Sequence, residues 1–329
     1  MKKLDRSLLK DMKSSHLLSV IVPAYNEESV LKTFHQRLSV ILANLPMQTE
    51  VIYVNDGSTD RTLEVIRSLR MNDHSIGIVD LSRNFGKEIA MAAGLDHVQG
   101  DAVIIIDADL QDPPELIPEL VQHWQDGYDG VYAVRLSRKG EGWVKKITAH
   151  FFYRLINRLS RIPIPEDTGD FRLLSRRAVD SLKKLREQHR FTKGLFTWIG
   201  YPQKAVHYHR NPRLAGKTKW NYWRLWNFAL EGITSFTTAP LKMAMYLGLL
   251  TALIAFLYAG IIIYKTLAFG EPVHGYPSLM VVILLLGGIQ LMAVGIMGEY
   301  LGRIFVETKL RPLYFLKGYM PPDRDNRSD

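Results

Sequence analysis

Ala102-Val103-Ile104-Ile105-Ile106 runs directly into Asp107-Ala108-Asp109-Leu110-Gln111-Asp112. A strand that is apolar at every position is buried on both faces, so its exit lies at the edge of a sheet core. Two carboxylates two residues apart at such an exit suit one task, the holding of a hard divalent cation against a phosphate. The segment also reads as an acidic helix-capping turn, because Pro113-Pro114-Glu115 opens a helix next. Taken alone, it leaves both readings open.

The surrounding chain alternates strand and helix. Leu18–Ala24, Val51–Val54, Ile76–Leu81, Ala102–Ile106 and Gly130–Val134 read as strands. Glu27–Ala43, Thr59–Arg70, Lys87–Val98 and Pro114–Gln125 read as the helices between them. This rhythm predicts an α/β fold with a mostly parallel sheet covered by helices. Ligands of such sheets bind outside the carboxyl ends of the strands. Four polar segments stand there: Pro23-Ala24-Tyr25-Asn26-Glu27, Asn55-Asp56-Gly57-Ser58-Thr59-Asp60, Arg83-Asn84-Phe85-Gly86-Lys87 and the Asp107 cluster. Any one of them passes for a capped turn. Four on one edge argue for a binding site.

The 329 residues carry 42 Lys and Arg against 33 Asp and Glu, a net charge of +9. That balance favours anionic partners: nucleic acid, anionic lipid or phosphorylated substrates. The absence of cysteine excludes disulfides, thiolate nucleophiles and Cys-based zinc sites. Met1–His16 has no apolar stretch of the kind a signal peptide needs. His207 and His209 form a His-x-His pattern, which reads as strand residues because no further ligands lie near them.

Apolar residues concentrate near the C-terminus. Met243–Tyr264 and Pro272–Gly298 carry no charge, and each is long enough to cross a hydrocarbon layer about 30 Å thick. Lys242 precedes the first run, and Arg303, Lys309, Arg311 and Lys317 follow the second. The positive-inside rule then places both termini in the cytoplasm and the 265–278 loop outside. Trp143–Arg161 has a basic amphipathic pattern suited to an anionic membrane surface, or to packing on the sheet domain. Trp220–Phe236, with Trp220, Trp223 and Trp226, suits the membrane interface. Gly298 and Gly302 form a small-x-x-x-small pair, a hint of helix packing and of a homo-oligomer. The expected organisation is a polar segment 1–16, a cytoplasmic α/β domain 17–216, an interfacial amphipathic helix 217–240, a two-helix transmembrane region 241–302 and a basic cytoplasmic tail 303–329. The end of that tail, past Tyr319, reads as polar and without fixed structure.

These parts suggest a reaction in which a diphosphate is held and leaves. A metal-binding acidic pair can clamp a diphosphate and neutralise it as it leaves. Asp56 can hydrogen-bond a base or ribose, Tyr25 can flank a base, and Lys87 can meet diphosphate charge. No Gly-x-Gly-x-x-Gly and no P-loop are present, so neither dinucleotide redox nor nucleotide triphosphate hydrolysis is indicated.

The four strand-exit motifs together resemble family 2 glycosyltransferases of the GT-A fold, within them the polyprenyl-phosphate branch. That branch includes dolichyl-phosphate mannose synthase, and the likeness is greatest to its bactoprenol (undecaprenyl-phosphate) glucosyltransferases. Gly169-Asp170-Phe171-Arg172-Leu173, Leu230-Glu231-Gly232-Ile233-Thr234-Ser235-Phe236, Gly275-Tyr276-Pro277-Ser278 and Gly298-Glu299-Tyr300-Leu301-Gly302-Arg303 carry the likeness through the apolar region. The resemblance implies a Rossmann-like GT-A domain followed by interfacial and transmembrane helices, in a bacterial inner membrane. It implies transfer of a sugar onto undecaprenyl phosphate with inversion, by likeness glucose from UDP-glucose, with the same chemistry on GlcNAc, GalNAc or a modified sugar as the alternative. The implied partners are a nucleotide sugar, a polyprenyl phosphate and the bilayer, with no nucleic acid.

Carried over by motif, Pro23, Tyr25, Glu27, Asp56, Lys87 and Asp107 surround the nucleotide. Asp107, Asp109 and Gln111 form the site of Mg²⁺ or Mn²⁺. Arg135, Arg138, Arg172, Arg213, Lys217 and Lys219 are candidates for the acceptor phosphate. Dolichyl-phosphate enzymes usually carry a small residue before Phe-Arg, whereas Asp170 stands here, leaving it as a contact to donor sugar hydroxyls. The catalytic candidates are Asp109, Arg135, Asp170 and Arg172. Transfer to a hydroxyl needs a general base. A phosphate monoester, with a second pKa near 6, is already a nucleophile at about pH 7. No residue is therefore expected to act as an obligatory base. A processive polysaccharide synthase is the rival within the fold, but its Gln- or Arg-x-x-Arg-Trp element is missing and two spans are few for a polymer channel. A non-catalytic nucleotide-sugar binding protein is the rival from another class.

Overall fold

The computed structural model describes residues 16–135, 168–208, 239–269 and 275–323. The first part alternates as expected: β1 (Leu17–Ala24), α1 (Leu31–Ala43), β2 (Gln48–Asn55), α2 (Thr62–Asn72), β3 (Ile76–Leu81), α3 (Lys87–His97) and β4 (Ala102–Ile105). A 3₁₀ turn (Pro114–Leu116) leads into α4 (Ile117–Gln125), and β5 (Gly130–Arg135) follows. Then come β6 (Thr168–Ser175), α5 (Arg176–Lys184), α6 (Thr192–Trp198), β7 (Gln203–Tyr208), α7 (Ala239–Phe269), α8 (Tyr276–Thr308) and β8 (Leu316–Met320).

The strands form one sheet in the order β7-β5-β6-β4-β1-β2-β3-β8. Its centre, β4-β1-β2-β3, is parallel. The flanks are not: β6 runs antiparallel to both β4 and β5, and β8 runs antiparallel to β3. The sheet is therefore mixed, and β5 is separated from β4 by a strand from later in the chain.

Side-chain alternation builds two cores. Val20, Val22, Val51, Tyr53 and Ile104 pack with Phe34 and Leu38 of α1, Ile66 of α2 and Leu120 of α4. Ile21, Ile52, Val79, Val103 and Ile105 pack on the other face with Met91 and Leu95 of α3, Val179 of α5 and Phe196 of α6. Helix α3 rides close to the sheet because residue 94 is glycine; a Cβ there would meet Ile21 Cγ2 at 2.4 Å. Fully burying each Val, Ile or Leu in these cores contributes about 1.5–3 kcal/mol.

Helices α7 and α8 contain two stretches long and apolar enough to cross a membrane, Pro240–Ile262 and Val281–Thr308, neither buried against the protein. A helix that is apolar all round and unburied finds its partner in lipid. Both helices outrun the expected 241–302 region. The basic stretch 143–161 and residues 217–238 of the interfacial segment lie outside the described residues.

The segment 303–329, expected as a basic tail, departs from that expectation. Its first residues finish α8, and after a turn the chain returns to the sheet as β8. Glu307, near the end of α8, accepts from Gln188 N at 2.8 Å. Tyr314 OH donates to Asp96 Oδ2 at 2.9 Å, and Arg186 grips the same carboxylate with Nη1 and Nη2 at 2.7 and 3.0 Å. The Tyr319 ring lies 4.6 Å from that of His97. Every residue of β8 is exposed, so no apolar alternation announces the strand.

This return predicts that the end of the chain stabilises the sheet domain. Tyr314→Phe removes one hydrogen bond to a carboxylate and should lower the melting midpoint by about 2–4 °C, as a loss of about 1 kcal/mol implies. Ending the chain at Thr308 should lower it further, and differential scanning fluorimetry reads both.

Candidate active site

The carboxyl ends of β1 to β4 meet at one edge, and short-range hydrogen bonds lace them into a rim. Asn26 N donates to Ser58 Oγ at 3.1 Å, and Thr59 N donates to Asn26 Oδ1 at 2.9 Å. Glu27 N donates to Thr62 Oγ1 at 2.8 Å. Asn26 holds φ at 56°, a left-handed conformation that asparagine tolerates better than most residues. These bonds join the exits of β1 and β2.

Asp56 fastens the third exit. Phe85 N and Gly86 N donate to its two oxygens at 2.7 and 3.0 Å. Burial pushes this carboxyl up from its ordinary range, opposed by those two N–H groups and by Arg83. Gly57 has φ +64°, and a Cβ there would stand 2.4 Å from Asn84 N. Any side chain at 57 would push the 83–87 loop away. Asp56, expected as a contact to base or ribose, is also the anchor of the loop that presents Lys87.

Lys87 opens α3 and reaches across the edge. Its Nζ donates to Asp107 Oδ2 at 2.7 Å and also to Asp170 Oδ2. Asp107 follows β4. Asp170 lies near the start of β6, where Arg172 pairs with Ile105. Because β6 is antiparallel, its first residues stand where β4 ends. Burial works to raise Asp170, but Lys87, Lys193 and Arg172 outweigh it and hold the carboxyl well below the usual range. For Asp107 burial wins over Lys87, with Asp170 and Asp112 adding to it, and its pKa is raised. Desolvation at the crowded edge opposes the charge on Lys87, although its side chain is partly exposed, and the two carboxylates overcome that and keep it protonated.

The Asp107–Asp112 segment turns on Leu110, whose φ of 59° is unusual for a leucine. Its side chain is buried in the core, which pins the turn. Gln111 N donates to Asp109 Oδ1 at 3.1 Å, while the buried Gln111 Oε1 has no hydrogen-bond partner. Asp112 is buried and accepts from Tyr208 OH of β7, so it serves as a brace.

Among the described residues no group of three or more His, Asp or Glu side chains is placed to hold a metal alone. Asp107, Asp109 and Gln111 offer two carboxylates and an unpartnered amide oxygen. All are hard oxygen donors, which suit Mg²⁺ or Mn²⁺ when water and phosphate oxygens complete the shell. A cation already stands at Asp107, the Lys87 ammonium. The donor set fits a divalent ion.

The other expected residues divide. Pro23 and Tyr25 leave β1, with Tyr25 exposed. The Glu27 carbonyl accepts from Val30 N and Leu31 N as α1 opens. Arg135 ends β5, paired with Tyr208, at the same carboxyl edge. Arg172 lies beneath the edge, 4% exposed, with its guanidinium carbon 3.7 Å from the centre of the Phe196 ring. Its Nη2 donates to Gly169 O at 3.1 Å, its Nε is unpartnered, and burial lowers its pKa to about 10. Arg138, Arg213, Lys217, Lys219 and His209 lie outside the described residues; His207 is on β7.

Three neighbours escaped the sequence reading as site residues. Glu88 Oε2 accepts from Thr192 N at 3.3 Å, and Lys193 Nζ donates to Thr168 O at 2.9 Å. Burial and the nearby Asp170 push Glu88 up to about 7. Glu88 directly follows Lys87, the last residue of the third motif, a signal that was there to use; Thr192 and Lys193 carry none.

Residues 19–183 match glycosyl transferase family 2, and residues 239–304 match the GtrB C-terminal hairpin. The chain is 53% identical over 314 residues to an uncharacterized glycosyltransferase of Synechocystis sp., covering 94% of this chain and 99% of that one. It is 48% identical over 300 residues to the bactoprenol glucosyl transferase of Shigella phage SfV, covering 91% and 98%. A crystal structure of glucosyl-3-phosphoglycerate synthase from Mycobacterium tuberculosis, with Mn²⁺, UDP-glucose and phosphoglyceric acid, aligns at 22% identity and a TM-score of 0.46, over 71% and 83% of the two chains.

Glu88 makes stability depend on pH. Its folded pKa of about 7 lies above the ordinary 4.5, so the folded state binds the extra proton. Stability from this group is therefore present below the ordinary value and is lost as pH rises through the folded one. Glu88→Gln should flatten the fall in melting midpoint across that window, measured by scanning fluorimetry.

Proposed function

The chain belongs to glycosyl transferase family 2, and from that premise we propose that it moves glucose from UDP-glucose onto undecaprenyl phosphate with inversion at the anomeric carbon. The observation that carries this reading is the cation-holding pair at the sheet edge, Asp107 and Asp170 about Lys87, on a chain whose likeness to a bactoprenol glucosyl transferase extends over 91% of its length. The nucleotide lies along the laced rim, against Pro23, Tyr25, Glu27 and Asp56. Lys87 meets the diphosphate. Asp107, Asp109 and Gln111 would hold Mg²⁺ or Mn²⁺, which when bound offsets negative charge on the departing UDP.

The acceptor supplies its own nucleophile. A lipid phosphate is mostly dianionic at about pH 7, so no side chain has to remove a proton. The protein's task is to bring two anions together. Arg135 at the carboxyl edge, with Arg138, Arg213, Lys217 and Lys219, would hold the acceptor phosphate. Asp170, with one oxygen on Lys87 and Oδ1 unpartnered, would contact a donor sugar hydroxyl.

The membrane arrangement follows from charge. Basic residues flank both outer ends of the α7–α8 hairpin, which favours a cytoplasmic catalytic domain and cytoplasmic termini. The acceptor phosphate then waits at headgroup depth beside the domain.

Purified protein, UDP-glucose, undecaprenyl phosphate and Mg²⁺ or Mn²⁺ should yield UDP and a lipid whose mass rises by one hexose. Chelator should stop both. UDP release without the lipid product, or no release with any nucleotide sugar, contradicts the proposal. Asp109→Asn should lose metal affinity and turnover together; loss of turnover with metal and donor affinity intact would restore a role for a base.

A further inference from the structure

We propose that Lys87 is the resident counter-ion of the donor site: it holds Asp107 and Asp170 together while the site is empty, and it exchanges Asp107 for the donor diphosphate when a divalent cation arrives. The idea rests on the donor-site reading above and adds an order of charges to it.

Three observations carry it. The first is position. Lys87 Nζ lies 2.7 Å from Asp107 Oδ2 and is bonded to Asp170 as well, so it sits where a cation is wanted. A divalent ion and an ammonium carry like charge, so holding both against the one Asp107 carboxylate costs repulsion, and each weakens the hold on the other. The second is the number of charges to be balanced. Asp107 and Asp170 converge on the one Lys87 ammonium, and two carboxylates so placed repel each other when no cation stands between them. The third is freedom to move. The Lys87 side chain is 42% exposed on a flexible four-carbon stem. Asp170, by contrast, has a 13% exposed side chain and stands on a paired strand, so it stays behind as a pivot.

The exchange has a thermodynamic consequence. With no nucleotide bound, Lys87 and the metal compete for Asp107, and metal affinity is weakened. With UDP bound, the diphosphate offers Lys87 another partner, and the metal binds freely. Metal and nucleotide therefore assist one another through Lys87, beyond their direct contact. Such couplings commonly amount to roughly 5–150-fold.

The test is Mn²⁺ binding to the full-length protein in detergent, followed by electron paramagnetic resonance with and without UDP. Lys87→Met should bind Mn²⁺ about tenfold tighter than wild type without UDP, and the gain in Mn²⁺ affinity on adding UDP should shrink by a similar factor. Lys87→Arg, which keeps the charge, should stay close to wild type without UDP. Asp107→Asn should bind Mn²⁺ weakly in both conditions. If Lys87→Met binds Mn²⁺ no tighter than wild type without UDP, the exchange is overturned while the donor-site reading stands. If wild type binds neither Mn²⁺ nor UDP, both fall.

Discussion

β6 runs antiparallel to β4, and that reversal decides what stands at the active edge. In the parallel centre each strand delivers its last residues to the edge. β6 delivers its first. Asp170 therefore arrives beside Asp107 from far along the chain, and Lys87 of α3 closes the gap between them. The same strand sends Phe171 and Leu173 into one core and Leu174 into the other, so its register is held by burial. A one-residue slip would bury Asp170 and Arg172 among apolar side chains. The charge cluster and the hydrophobic core thus specify the same pairing.

That strand also marks where the sequence stopped being legible. The alternation from β1 to β5 could be read because each element repeats with its own period and each exit carries polar residues. Ile76–Leu81 was placed to the residue, and the other boundaries fell within a few positions. β6 was visible only as a motif, because Asp170 and Arg172 alternate with Phe171 and Leu173 and so mix charge with core. β8 could not be read: none of its residues is buried, and its pairing with β3 comes from chain direction after the hairpin. At the site, Asp107, Asp109, Gln111, Asp56 and Lys87 were legible as chemistry. Their partners were not. Nothing in a linear pattern says that Asp56 holds Phe85 N and Gly86 N, or that Asp112 braces Tyr208.

The hairpin is bound to the catalytic domain from its later end. Glu307 of α8 accepts from Gln188 N, and Tyr314 with Arg186 shares Asp96 at the end of α3. Helix α3 begins with Lys87 and ends beside this junction. A lipid acceptor stays in the bilayer, so contacts that tie the hairpin to the sheet domain restrict where its phosphate can meet the rim. A loosely tethered domain would sample many orientations, at an entropic cost to each encounter.

The commitments of the carboxylates bear on how the edge works. Among the described residues, Asp56 is spent on loop N–H groups, Asp112 on Tyr208, and Asp107 and Asp170 on Lys87. Asp109 accepts from Gln111 N, inside the turn that Leu110 pins. Asp170 is held so far below its ordinary range that it is a poor proton acceptor. Glu88 has a pKa pushed up to about 7, the range a general base wants, and its Oε2 is turned to Thr192 N. An enzyme that deprotonated a sugar hydroxyl would need one carboxylate placed and poised for that proton. Here the acids are occupied in fixing backbone and cations, an arrangement suited to an acceptor that arrives already charged.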